Sequence, residues 1–233
     1  VVFRSSLTGG AKAVVSGNLA ADADPLYERT VTLAGDSTAE NEVSGVLRNN
    51  NNAPISLVKT NGGKWLLSGS NTYTGTTDVV EGTLQFEKSG SLYGADQSKW
   101  TKSYITVRSN ATLAVKTWTT FGWGPDDIGT VVSNLSLSGA GGFRDGCFFG
   151  FDTREGDYTY WKSRPTITDT ADGGVVGVRK LGANLLRLED DHTYTGDTLV
   201  EEGTLQFGVG FGPGEFAGDA VVSAGATLRV NKT

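Results

Sequence analysis

"NTYTGTTDVVEGTLQF" at residues 71–86 returns as "HTYTGDTLVEEGTLQF" at 192–207, 121 residues later (192 − 71). Without gaps, 59–86 overlays 180–207, and 14 of those 28 positions are identical. They are Lys59, Leu67, Thr72, Tyr73, Thr74, Gly75, Thr77, Val79, Glu81 and Gly82-Thr83-Leu84-Gln85-Phe86. The second copy thereby keeps Tyr194, Gly196, Gly203 and Leu205. Self-similarity at a fixed offset is the mark of stacked units that bury their apolar faces on one another.

The differences orient the strands. Leu66 becomes Arg187 and Val80 becomes Glu201. A position that accepts both an aliphatic and a charged side chain reads as solvent-facing, because an unpaired buried charge is very costly. Side chains alternate along a strand, so Trp65/Leu186 and Leu67/Leu188 face inward in the first strand. Thr77/Thr198 and Val79/Val200 do so in the second, and Leu84/Leu205 with Phe86/Phe207 in the third. Glu81-Gly82 and Glu202-Gly203 read as a turn in which glycine takes a positive φ. Gly75 and Gly196 read as sharp bends. Asn71 and Thr72 begin the first TYTG corner.

After each copy the frame A-T-L-x-V follows, at Ala111–Val115 and Ala226–Val230. Its offset is 115 (226 − 111), so the first unit carries six more residues in a loop (121 − 115). Insertion between unchanged strands suits a solenoid. At roughly 20–25 residues per coil the chain winds about ten turns, a rod on the order of 50 Å long. No segment shows a convincing 3.6-residue period. The predicted fold is therefore all-β: a right-handed parallel β-helix with a loop-rich insertion near 116–165. The alternative is a β-sandwich, whose hairpins favour "NG" or "DG" turns; here those pairs fall mainly in loops. The expected organisation is one solenoid domain over 1–233. Within it, 55–115 is the first unit, 116–173 an aromatic-rich intervening segment and 174–230 the second unit.

Composition narrows the functional classes. Gly is abundant at 33, Pro scarce at 5 and Met absent, so the sequence reads as an excised or processed segment rich in short strands and tight turns. A net charge of −6 with scattered Lys and Arg argues against a nucleic-acid partner. No apolar run reaches the length of a membrane-spanning helix. Cys147 stands alone beside Phe148 and Phe149, which excludes an internal disulfide framework and suits a buried small residue.

The string NTYTG-x-T-x-V-x-x-GTLQ, led by Lys59, Gly62, Leu67, Ser68 and Gly69, resembles the autotransporter-associated β-strand repeat, also called the passenger-associated transport repeat. "NEVSGVL" (41–47) resembles the turn that precedes that repeat. The second copy departs at Glu189, Asp190, Asp191 and His192. The strong match covers two stretches of about thirty residues. The resemblance implies a parallel β-helix in the exported passenger of a large bacterial surface protein, secreted or displayed at the outer membrane. It also implies a structural, non-enzymatic role in folding, secretion and display of adhesive regions, with neighbouring repeats, glycans or cell-surface molecules as partners and no cofactor.

Three chemistries can be weighed against that. His192, the single histidine, occupies the Asn71 position and reads as a turn residue. Asp126, Asp127, Asp145, Asp152, Glu155 and Asp157 form the densest acidic group; paired carboxylates of this kind serve as general acid and base on a glycosidic bond. "GPDDIG" is equally an ordinary acidic turn, and Asp22/Asp24 is an isolated D-x-D that assigns no metal ligand. The segment 116–165 is crowded with aromatics. A sugar-binding platform there would use Trp118, Trp123, Tyr158, Tyr160 and Trp161, with burial in the core as the competing reading. Alternation in "DYTYW" sets Tyr158 and Tyr160 on one face and Trp161 on the other.

Overall fold

The computed structural model describes residues 1–20, 29–49, 53–117, 122–189, 191–208 and 217–231. Its named strands pair in parallel between successive coils, giving a solenoid. The longest sheet has nine strands: Val14–Val15, Glu40–Val43, Lys64–Leu67, Thr83–Phe86, Thr112–Lys116, Cys147–Asp152, Val176–Leu181, Thr198–Val200 and Ala220–Val222. A six-stranded sheet runs from Val2–Arg4 through Arg29–Ala34, Ile55–Lys59, Thr77–Val79 and Ile105–Val107 to Gly142–Phe143. A four-stranded sheet stacks Tyr158–Tyr160, Leu185–Leu188, Thr204–Phe207 and Thr227–Val230. Leu19–Ala20 pairs with Leu47–Arg48 at a third corner.

Such strands cannot stand alone, because each has one apolar side and two open edges. Stacking answers both needs. Trp65, Leu84, Leu113, Phe149 and Val178 form one inward ladder of the nine-stranded sheet, and Leu67, Phe86, Val115 and Phe151 the next. All nine side chains are buried in one hydrophobic core. Leu186 and Leu205, then Leu188 and Phe207, continue the pattern in the four-stranded sheet. Every inward position expected from the two copies is buried. Parallel pairing across coils replaces the antiparallel hairpins of the sandwich alternative. Among the described residues the longest sheet has nine rungs, which span roughly 40 Å at the usual inter-strand spacing.

The pairing shows that the copies do not sit on the same faces. In the first, Ile55–Lys59 joins the six-stranded sheet and Lys64–Leu67 the nine-stranded one. In the second, Val176–Leu181 joins the nine-stranded sheet beside Cys147–Asp152, and Leu185–Leu188 the four-stranded one. The repeat has advanced by one face. The shift arises in the insertion, where Gly142–Phe143 ends the six-stranded sheet and Tyr158–Tyr160 begins the four-stranded one.

The insertion also holds α1 (Pro125–Leu135), where a 3.6-residue period was not expected. Gly124 caps it, Pro125 starts it, and Asp126 and Asp127 lie in the first turn, where acidic side chains oppose the helix dipole. Ile128, Val131, Val132 and Leu135 are buried at helical spacing. The β-branched Ile128, Val131 and Val132, with Gly129, disguised an 11-residue helix as turn and strand. Leu66 is a second correction: it points outward yet is only 4% exposed. It lies between Glu42 and Gln85 in the ladder, on outer surface that the chain's own side chains cover. Its counterpart Arg187 is half-buried, while Glu201 is exposed as expected.

Candidate functional site

The two copies share a corner built on a buried lysine. Lys59 Nζ donates to the carbonyls of Thr60, Asn61 and Glu81 at 3.0, 2.5 and 2.9 Å. Lys180 Nζ donates to Leu181, Gly182 and Glu202 at 2.9, 2.6 and 3.1 Å. An ammonium has three protons to give, and each finds a turn carbonyl. Burial pulls both lysines down to about 8, against the upward pull of Glu81 and Asp36 on Lys59, and of Asp152, Glu202 and Asp157 on Lys180. Gly82 and Gly203 close these turns with φ of 72° and 65°, as the sequence predicts. Gly75 and Gly196 serve differently. Their φ is ordinary, but a Cβ would come within 2.5 Å of the Ile55 or Val176 carbonyl oxygen on the coil beneath.

At the TYTG corner the hydroxyls of Tyr73 and Thr77 share a hydrogen bond of 2.7 Å, and those of Tyr194 and Thr198 one of 2.6 Å, all buried. Asn71 Oδ1 accepts from Leu47 N at 2.8 Å, and His192 Nδ1 from Ile167 N at 3.0 Å. His192 is thus the turn residue expected, an imidazole standing in for an amide. Thr72 and Thr74 are exposed. One participant escaped the sequence reading. Asn49 Oδ1 accepts from Thr74 N and Ile55 N, and Asp169 Oδ1 accepts from Thr195 N and Val176 N, all at 3.0–3.1 Å. Both lie before the matching stretches, and the 120-residue offset between them (169 − 49) was the available signal.

The aromatic segment separates into core and surface. Trp123 is fully buried with its ring 5.0 Å from that of Trp100. Tyr160 is fully buried and Tyr158 is 4% exposed. Both face inward from the first strand of the four-stranded sheet, next to Leu186 and Leu188. Burial removes these three rings from any external sugar platform. Trp161, opposite them as alternation predicts, is 52% exposed. Trp118 lies outside the described residues, as do Asp22 and Asp24.

The acidic residues are dispersed into structural pairings. Asp126 pairs with Arg164, Asp127 accepts from Gln97, Asp145 from Val175 N, Asp157 from Leu185 N, and Glu155 pairs with Lys116. Asp152 is the exception in its burial. Its oxygens accept from Arg154 Nε at 2.8 Å, Arg154 N at 3.0 Å and Gln85 Nε2 at 2.7 Å, with Lys64 Nζ 3.8 Å away. Arg154 continues to Glu40 through a bidentate pair at 2.5–2.6 Å, and Lys64 reaches Glu40 at 3.0 Å. Four strands of the nine-stranded sheet are thereby tied together across its outer face, over the intervening Thr112–Lys116. Ala114 and Gly150 leave room beneath: a Cβ on Gly150 would sit 2.8 Å from that of Ala114. Burial raises the Asp152 carboxyl, but Arg154, Lys64 and Gln85 outweigh it and hold it below the usual carboxylate range. This carboxylate is an ionised tie, not a proton donor. Cys147 is buried, and burial pushes its thiol up to about 12, so it is inert as a nucleophile. Among the described residues no three metal-ligating side chains cluster, and no helix is long and apolar enough to cross a membrane.

The fold and its corners define a parallel β-solenoid with two internal repeats. Residues 57–86 and 178–207 each match the passenger-associated-transport-repeat family, so the chain carries two such repeats. The chain is also 34% identical over 68 residues to the adhesin BmaC autotransporter of Brucella suis biovar 1 (strain 1330). That match covers 29% of this chain and 2% of the relative, so the chain spans a small fraction of the relative's length. No solved structure matches the chain.

Proposed function

We propose that the chain is a structural β-helical segment of the exported, surface-displayed passenger of a large bacterial protein, supporting its folding during secretion and displaying adhesive regions. In this reading 1–233 form one solenoid, with 55–115 and 174–230 as repeat units around 116–173. The observation that carries the proposal is the duplicated corner: Lys59 and Lys180, with Tyr73 and Tyr194, spend their polar atoms on the turns of the rod itself. The similarity to an autotransporter adhesin supports the surface location. A non-enzymatic role fits the ties made by the acidic residues of the insertion.

Deleting 55–230 from the full-length bacterial protein tests it. Surface-accessible passenger, read by protease shaving of intact cells, is expected to fall severalfold while total synthesis is unchanged. Undiminished display of the shortened passenger would overturn the role in folding and secretion.

A further inference from the structure

Nine large hydrophobic side chains are exposed among the described residues. Seven lie in the first or last coil: Val1, Val2, Leu7, Val14, Val221, Val222 and Val230. The other two, Leu137 and Trp161, are each 52% exposed, and both belong to the insertion. Leu137 lines an open cleft of about 390 Å³ between the C-terminal end of α1 and residues 165–171. Trp161 starts the turn, closed by Arg164 N donating to its carbonyl at 2.9 Å, that leads into the cleft wall at Pro165.

The walls are held in place before any ligand arrives. Tyr160 Oη donates to the Pro165 carbonyl at 2.7 Å, and Ala171 N donates to the Ser136 carbonyl at 2.8 Å. Pro165 packs so closely on α1 that a Cβ at Gly129 would meet its Cδ at 2.7 Å. On the other side Asp169 is fixed by Val176 N and Thr195 N on Oδ1 and by the Thr195 hydroxyl on Oδ2. A rigid cleft of this volume falls in the range that small ligands occupy.

Its lining selects among ligands. Ser133, Thr166 and Thr168 offer hydroxyls, and Leu137, Pro165 and Ala171 offer apolar surface. Ser136 is 6% exposed, yet its hydroxyl has no hydrogen-bond partner. That oxygen is itself sealed from solvent, so it lies below the cleft floor, and the hydrogen-bonding edge is left to Ser133, Thr166 and Thr168. An anion would meet Asp169 and the negative end of the α1 dipole. An apolar ligand would leave the hydroxyls unpaired. A neutral polyol with one hydroxylated edge and one C–H face satisfies both kinds of wall.

We propose that this cleft binds a short neutral saccharide, with Ser133, Thr166, Thr168 and Asp169 exchanging hydrogen bonds with its hydroxyls and Leu137 and Pro165 meeting its C–H faces. The site goes beyond the structural role and does not depend on it. The test is saturation-transfer NMR on the intact 233-residue chain with trisaccharides of glucose, galactose, mannose and N-acetylglucosamine. At least one is expected to show transfer. Ala171→Trp, which fills the exposed mouth, should weaken its Kd by about tenfold or more, and Leu137→Ala by about fivefold. Both variants should keep the parent's thermal midpoint. Absence of transfer from all four, or an unchanged Kd in both variants, would overturn the site.

Discussion

The repeat copies at 57–86 and 178–207 build the same corners on different faces of the rod. In each, a lysine fills the turn before the strand that carries tryptophan or leucine, a tyrosine meets a threonine at the opposite corner, and Leu-x-Phe closes the ladder. Their surroundings differ. The first copy has coils on both sides in the six- and nine-stranded sheets, while the second stacks on the insertion and lies one rung from the last strands, Ala220–Val222 and Thr227–Val230. The repeat therefore specifies local winding, and the insertion sets which face receives it. A solenoid's stability is a sum of such units and their neighbour contacts, so equal chemistry placed unequally should melt unequally.

The largest expected contrast is at the central leucines. Leu84→Asp places a charge between Trp65 and Leu113 in the middle of the core, costs on the order of 5 kcal/mol or more, and should abolish cooperative unfolding. Leu205→Asp, next to the terminal rung, should fray the last coils and leave residues 1–150 with slow amide exchange. Uniform collapse in both variants would show that the rod folds as one indivisible unit.

The corner lysines come next. Lys59→Met strands three carbonyls and should cost roughly 2–4 kcal/mol, with Lys180→Met a little less. Their titration has a defined sign. The folded lysines release a proton near pH 8, whereas the unfolded chain holds it to about 10.5. Between those values the unfolded state binds more protons, so raising the pH stabilises the fold. Denaturant midpoints for wild type and for the double Met variant should diverge above pH 8, with that increment missing in the variant.

Arg154→Ala is expected to cost about 2–4 kcal/mol, since Asp152 stays buried without its main cation. The stabilisation from Asp152 is present above the unfolded carboxyl pKa and is lost as pH falls through the lower folded value, so the variant should show a shallower acid limb in its stability profile. The smallest effect is expected at the corner where the copies differ chemically. His192→Asn restores the first copy's residue, keeps an acceptor for Ile167 N, and should change stability by no more than about 0.5 kcal/mol by thermal melting.

Much of this was legible in the residues. The inward set followed from alternation plus two substitutions, Leu66/Arg187 and Val80/Glu201, because strand geometry leaves two choices and charge decides between them. Leu66 misled for a reason outside its own strand: the residues that tie that outer face together include Glu40 and Arg154, 114 positions apart. Long-range ion pairs leave no periodic trace. α1 was hidden by β-branched residues that suit a strand, though the spacing of Ile128, Val131, Val132 and Leu135 was there to be counted. Of the candidate sugar contacts, Tyr158, Tyr160 and Trp161 were sorted correctly into two faces by alternation. Trp123, on no strand, could not be placed that way.

The central claim is that the insertion advances the second copy by one face. Through-hydrogen-bond scalar couplings in the deuterated, 15N,13C-labelled chain test it most directly. The account predicts a coupling from the Thr153 amide to the Leu181 carbonyl and from the Val178 amide to the Asp197 carbonyl, which set Val176–Leu181 in the nine-stranded sheet. Couplings from residues 176–181 to Gly142 and Phe143 would instead return the second copy to the first copy's face and contradict it.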